Sequence, residues 1–417
     1  MSFGPPPPGY GPPIPPAWTA PTAVEHALYE AKLRGDWLAY YDTLARTRLY
    51  FEVHRNLTDA KPDGVHPRFY GNSFTNTSWW ELFTDGMLPS PEPEPVYSRG
   101  TLDWIARSWK PTDPPSIVIN PGSPCEAVLP FGPPNSTEWS RVAAGVGTIP
   151  ISMQLRGLRV GGPLHGPVAH GLACGALLCV SNGSLWNAMA WHGSGYPEER
   201  GRLREWWGIT TREKWQSALR PLLACESHSS VWDFVLGLRR TIARDFGGHV
   251  DIGYWRQSAA NVLRARADGS TVLTPDGVTR TDPRPEPETE AQIDGVQRLI
   301  GRIGRYEARM RADGVLGEGR YVRSVDAWDL GRASKMARWG LGARFGTLKE
   351  AESTVVQAGR NATLSYRSWQ EFSAGYILGR CLHFDEEEFG DWYEDMVSAH
   401  RILTSDAGSP WLNIPFQ

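Results

Sequence analysis

The sequence predicts an α+β protein in which a small mixed α/β domain precedes a mostly α-helical one. Two observations carry that expectation. Short aromatic and β-branched runs separated by Pro, Gly and Asn fall within the first 150 residues, and beyond about residue 160 apolar residues recur at helical spacing. Three helix starts in the later part also bear an S/T-x-x-E pair, which satisfies the free N–H groups of a first turn.

Residues 1–22, MSFGPPPPGYGPPIPPAWTAPT, hold nine prolines and no charge, so they predict a disordered, polyproline-like tail. Pro5, Pro8, Pro12 and Pro15 have the PxxP spacing that docks in aromatic-lined grooves. Residues 23–47 carry helical spacing interrupted at Gly35-Asp36. RLYFEVH (48–54), SWWELFT (78–84), SIVIN (116–120) and EAVLP (126–130) read as strands, with a helix over TLDWIARSW (101–109), giving a domain over 23–155. A mostly helical domain follows over 160–417. Its capping pairs are Thr210 with Glu213, Thr347 with Glu350 and Ser368 with Glu371, and further amphipathic helices cover 289–312 and the segment from Phe389 to Leu403. Residues 268–290 read as a polar insertion whose PDG turn suits a small hairpin. No internal repeat of fixed period is present.

The 417 residues include 43 basic and 46 acidic side chains, for a net charge of -3, and no basic run that would favour nucleic acid. The longest weakly polar run, GLACGALLCV, is far shorter than a membrane span, so a soluble cytoplasmic protein is expected. The five scattered cysteines lack a CxxC pair, which argues against a disulfide framework or zinc site, and no cofactor or metal is assigned from spacing. Nineteen tryptophans mark either densely packed helical cores or adhesive surfaces.

RLYFEV, LFTDGMLPS and IVINPGSPCEAVLP resemble the N-terminal domain of SseB-like proteins, over about 24–155. LREWWGIT, AWDLGRASKMARWG, SWQEFSAGYILGRC and SPWLNIPF resemble a bacterial domain of unknown function, number 1266, over about 170–417. Neither resemblance implies a catalytic set. The first implies a connection with secretion or protein association.

Within VDAWDLGRASKMARWG (325–340), Asp329 and Arg332 lie on one helical stripe with Trp328 and Trp339. In SWQEFSAGYILGRC, Trp369, Tyr376 and Arg380 share another stripe. If two such helices face each other, Asp329, Arg332 and Arg380 form either an anion or acid/base site walled by those four aromatic residues, or an ion-pair cluster that fixes helix register. His165, His170 and Cys174 form a weaker thiol or metal candidate that lacks further ligands. FDEEEFGDWYED (384–395) holds seven carboxylates without the spacing of a calcium loop, so a solvated helix start is expected. No P-loop, GxSxG, HExxH or dinucleotide fingerprint occurs. The sequence therefore predicts a protein-interaction factor of adaptor or immunity-like type rather than an enzyme. An enzyme or small-anion sensor built on Asp329, Arg332 and Arg380 is the alternative.

Overall fold

The computed structural model describes residues 18–61, 64–88, 96–146, 153–158, 162–189, 196–246, 248, 250–268, 271–274, 277–280 and 285–416. The expected tail lies outside them except for residues 18–22. The chain divides into two compact units, one of Met1–Glu52, Pro67–Pro89 and Arg99–Ile149, the other of Val53–His66, Ser90–Ser98 and Pro150–Gln417.

The first stretch runs α1 (Ala23–Leu33), α2 (Trp37–Ala45), β1 (Leu49–Val53), α3 (Arg55–Ala60), β2 (Phe69–Asn72), β3 (Thr77–Leu82), β4 (Val96–Gly100), α4 (Leu102–Ser108), β5 (Ser116–Ile119), β6 (Ala127–Pro130) and α5 (Asn135–Ala144). Gly35, at φ +66, makes the break between α1 and α2, and Asp36 caps α2 by accepting the Ala39 N–H. A four-stranded sheet has the order β2-β3-β5-β6, with β3 and β5 parallel and the other pairs antiparallel. Trp80, fully inside, meets Phe51 and Phe131 edge-on or tilted. The NPG element has a local reason: Asn120 takes a left-handed φ of +49, and its side-chain oxygen accepts the Thr84 N–H at 2.9 Å. β2, β4, α3 and α5 were not expected from the sequence, because FYGN and VYSRG are too polar to show alternation.

The second stretch contains α6 (Gly166–Ala173), α7 (Ala176–Ser181), α8 (Tyr196–Trp207), α9 (Arg212–Leu223), α10 (Ser230–Asp245), α11 (Ile252–Ala267), β7 (Thr271–Thr274), β8 (Gly277–Arg280), α12 (Glu286–Ala312), α13 (Asp326–Gly342), α14 (Leu348–Ser365), α15 (Trp369–Phe384), α16 (Asp391–Ser405) and α17 (Pro410–Asn413). β7 and β8 pair antiparallel, as the PDG turn predicts. Thr347 and Glu350 form a complete reciprocal capping box. At α9 the cap is Thr211 rather than Thr210, since Thr211 accepts the Lys214 N–H.

Helix α13 is the axis of this unit. Fifteen of its seventeen residues are buried, so it is packed on all sides by α6, α7, α8, α9, α14 and α15. Small residues make that possible. A Cβ at Gly331 would press on Tyr376 and the Cys174 carbonyl, one at Gly340 would overlap Trp215, and one at Gly171 would overlap the backbone of Val355 on α14. Trp215 also donates its indole N–H to the Met336 carbonyl at 2.9 Å, so its polar edge is satisfied inside the core. The acidic segment departs from expectation. Asp385 is buried and accepts from the Tyr306 hydroxyl, Glu387 pairs with Arg305, and α16 begins only at Asp391.

Candidate functional site

Three segments converge on the first turns of α13. After α9 the chain turns at Cys225, whose φ is +57, and the Glu226 N–H closes the helix end on the Pro221 carbonyl at 2.8 Å. This reversal aims the Ser227 N–H and the His228 ring at Asp329. Ser229 then caps α10, and the first turn of that helix carries Asp233 back to the other side of His228.

The Asp329 side chain is fully enclosed. One oxygen accepts the Ser227 N–H at 3.0 Å and faces His228 Nδ1 at 2.8 Å; the other pairs with Arg332, one turn along α13. His228 Nε2 lies 2.8 Å from Asp233, whose carboxylate is half exposed. Burial alone would lower the imidazole pKa, but the hydrogen bonds and charges of Asp233 and Asp329 outweigh it and raise the value to about 9. The imidazolium therefore donates to both carboxylates at neutral pH. Trp232 stacks on the ring, and Trp328 covers the Arg332 guanidinium at 3.5 Å. Burial pulls the Arg332 pKa down while Asp329 holds it up.

The sequence-predicted residues separate into distinct neighbourhoods. Asp329, Arg332, Trp328 and Tyr376 come together, since Tyr376 feels the charges of both Arg332 and Arg380. Arg380 makes no ion pair with Asp329; its guanidinium stands 4.8 Å from the Trp392 ring and 5.8 Å from Phe384, at the junction of α15 and α16. Trp339 lies farther along α13, against Trp206 and 5.3 Å from Lys335 Nζ, and bonds to Glu199. Trp369 packs on His170, Trp411 and Phe416 instead. Neither ring walls the Asp329 cluster.

His165, His170 and Cys174 do not form a ligand set. His165 is exposed at the start of α6. His170 is buried between Trp369 and Phe416, with its pKa lowered by burial. Cys174 is fully buried, and its thiol pKa is driven upward, which makes it a poor nucleophile. Among the described residues, the group whose donor atoms lie close enough for a metal is His228, Asp233 and Asp326.

Sequence reasoning also missed two buried cations of α13. Arg338 donates to the carbonyls of Ala188 and Leu185 and to Cys179 Sγ at 3.1 Å. Lys335 reaches Cys179 Sγ at 3.9 Å, and burial lowers its pKa to about 8. Arg239 and Glu307 form a further enclosed bidentate pair at 2.9 and 2.7 Å. Their partners lie 68 to 159 residues away in sequence, beyond any local pattern.

Residues 202–416 match the model of the family described as "Protein of unknown function (DUF1266)". No curated protein and no solved structure matches the chain. The matched stretch begins after α6 and α7, although both pack into the same apolar core as α13.

Asp329→Ala leaves Arg332 short of its carboxylate and His228 with Asp233 alone, so unfolding in denaturant is expected to lose about 3 kcal/mol or more. The pH profile checks the same contacts. Because the folded pKa of His228 lies above its ordinary 6.5, its stabilising contribution is complete below pH 6.5 and is lost as the pH rises through about 9. Wild-type stability should decline across that window and the variant should decline less; equal slopes would refute the assignment.

Proposed function

The chain belongs to the DUF1266 family, whose description fixes no activity, and on that premise we propose that the protein is a non-catalytic protein-interaction factor, of adaptor or immunity-like type. The observation that carries the reading is an exposed aromatic pair at the junction of α15 and α16. Phe384 and Trp392 are 43% and 45% exposed, yet their rings stack at 4.6 Å with a 15° interplanar angle, and Arg380 covers the Trp392 face. Large aromatics with an arginine are the composition of interface hot spots.

The exposed carboxylates of Glu386, Glu388, Asp391 and Glu394 surround this pair in sequence, which suits a partner segment combining an apolar anchor with basic residues. His383 and Phe384 pack on Trp328 at 4.9 and 6.3 Å, so the surface pair is backed by the same tryptophan that covers Arg332. Such backing reduces the ordering cost of association. The enclosure of Asp329 further supports a structural ion cluster over a reaction centre. In this reading residues 24–155 form an SseB-like domain, the proline-rich tail supplies a second contact, and the protein works in the cytoplasm, in a secretion-related or immunity-like role.

A second reading, a small-anion sensor or enzyme, has one observation in its favour. The buried Tyr376 hydroxyl and Arg380 Nε each lack a hydrogen bond of good geometry, and both Arg380 and Arg332 act on that hydroxyl. Inorganic phosphate that raises the melting temperature of wild type, but not of Arg380→Gln, would favour it; no shift in either would remove it.

For the interaction reading, affinity capture with the full chain should recover a stoichiometric partner. Trp392→Ala and Phe384→Ala should lose that partner by tenfold or more, while Leu364→Ala, at a still more exposed apolar site on α14, should retain it. Retention by the aromatic variants, or no partner, overturns the reading.

A further inference from the structure

We infer that His228, Asp233 and Asp326 form a binding site for a divalent transition-metal ion of the zinc class. One donor atom from each lies within 4.8 Å of the others. Donors around a four-coordinate zinc at about 2.0–2.1 Å stand some 3.3–3.5 Å apart, so a modest side-chain rotation closes the set. The two carboxylates are the solvent-facing members. Asp233 is half exposed on the first turn of α10 and Asp326 is partly exposed on the first turn of α13, while the imidazole between them is held rigidly.

The imidazole is held in a fixed direction. Asp329 takes His228 Nδ1 at 2.8 Å, and Asp329 is itself fixed by the Ser227 N–H and by Arg332. A histidine whose one nitrogen is held by an enclosed carboxylate presents the other nitrogen in a defined direction, as carboxylate-backed metal ligands do. Here the other nitrogen, Nε2, points to Asp233 at 2.8 Å, toward a half-exposed carboxylate, and a metal binding there displaces the proton the two groups share and releases it to solvent. Asp326 is oriented in turn by the Ser365 hydroxyl, which donates to its Oδ2 at 2.6 Å.

The charges agree with this placement. Three carboxylates, Asp233, Asp326 and Asp329, gather around His228, and among the described residues Arg332 is the permanent countercharge in direct contact. An imidazole donor favours zinc over magnesium, which prefers an all-oxygen shell. Bound metal would pin α10 and the 225–229 turn to α13, and would give Asp329 and Arg332 the role of outer supports that orient the histidine ligand.

The test uses the full chain, stripped with chelator, then titrated with zinc chloride by calorimetry and equilibrium dialysis, with manganese and magnesium chloride as comparators. One equivalent of zinc should bind more tightly than magnesium, and Asp233→Asn should weaken it 10- to 100-fold. His228→Gln should do the same, whereas Asp294→Asn, an exposed carboxylate on α12, should bind as wild type does. Because Asp233 is half exposed, its variant keeps the fold, which circular dichroism verifies. Absent or substoichiometric zinc binding, magnesium binding tighter than zinc, or wild-type affinity in Asp233→Asn would each overturn the assignment.

Discussion

A single enclosed carboxylate sets the arrangement of the helical unit. Asp329 sits on the first turns of α13 and is satisfied only when the 225–229 turn delivers an N–H and an imidazole, and when Arg332 folds back over one helical turn. A carboxylate stranded in such a place costs several kcal/mol, so the turn, α10 and α13 must find their relative positions together. The tryptophans then close over the result, Trp232 on the imidazole and Trp328 on the guanidinium.

The remainder of α13 obeys the same rule of enclosure with compensation. Arg338 is fully buried but reaches two carbonyls and a sulfur, whereas Lys335, among the described residues, hydrogen-bonds one weak acceptor in Cys179, and burial disfavours its charge. Glycines at 331 and 340 bring neighbouring aromatic rings against the helix backbone, so the polar groups are confined by hard packing. The aromatic pair on α15 and α16 is the outward end of this assembly, linked to it through Trp328.

The legibility of these features in the sequence depended on range. The Asp329–Arg332 pair, the Thr347 capping box and the hairpin around the PDG turn are local, and the structure contains each of them. Arg380 shares a stripe with Tyr376 yet turns to Trp392, because the corner after α15 brings an aromatic face to 4.8 Å from its guanidinium. His228 escaped notice because its partner Asp329 lies 101 residues on and a turn histidine has no periodicity to betray it, and Asp233, five residues from His228, went unnoticed with it. Cys174 and His170 looked paired at helical spacing, but burial without further ligands left them as core residues.

A double-mutant cycle shows whether Asp329 and His228 act as one unit. Urea unfolding of wild type, Asp329→Asn, His228→Gln and the double variant at pH 6.5 gives the coupling between the two side chains. A coupling of about 1–3 kcal/mol is predicted. Additivity within about 0.5 kcal/mol would mean that the two groups are neighbours without a shared role, and the clamp would no longer explain the placement of α13.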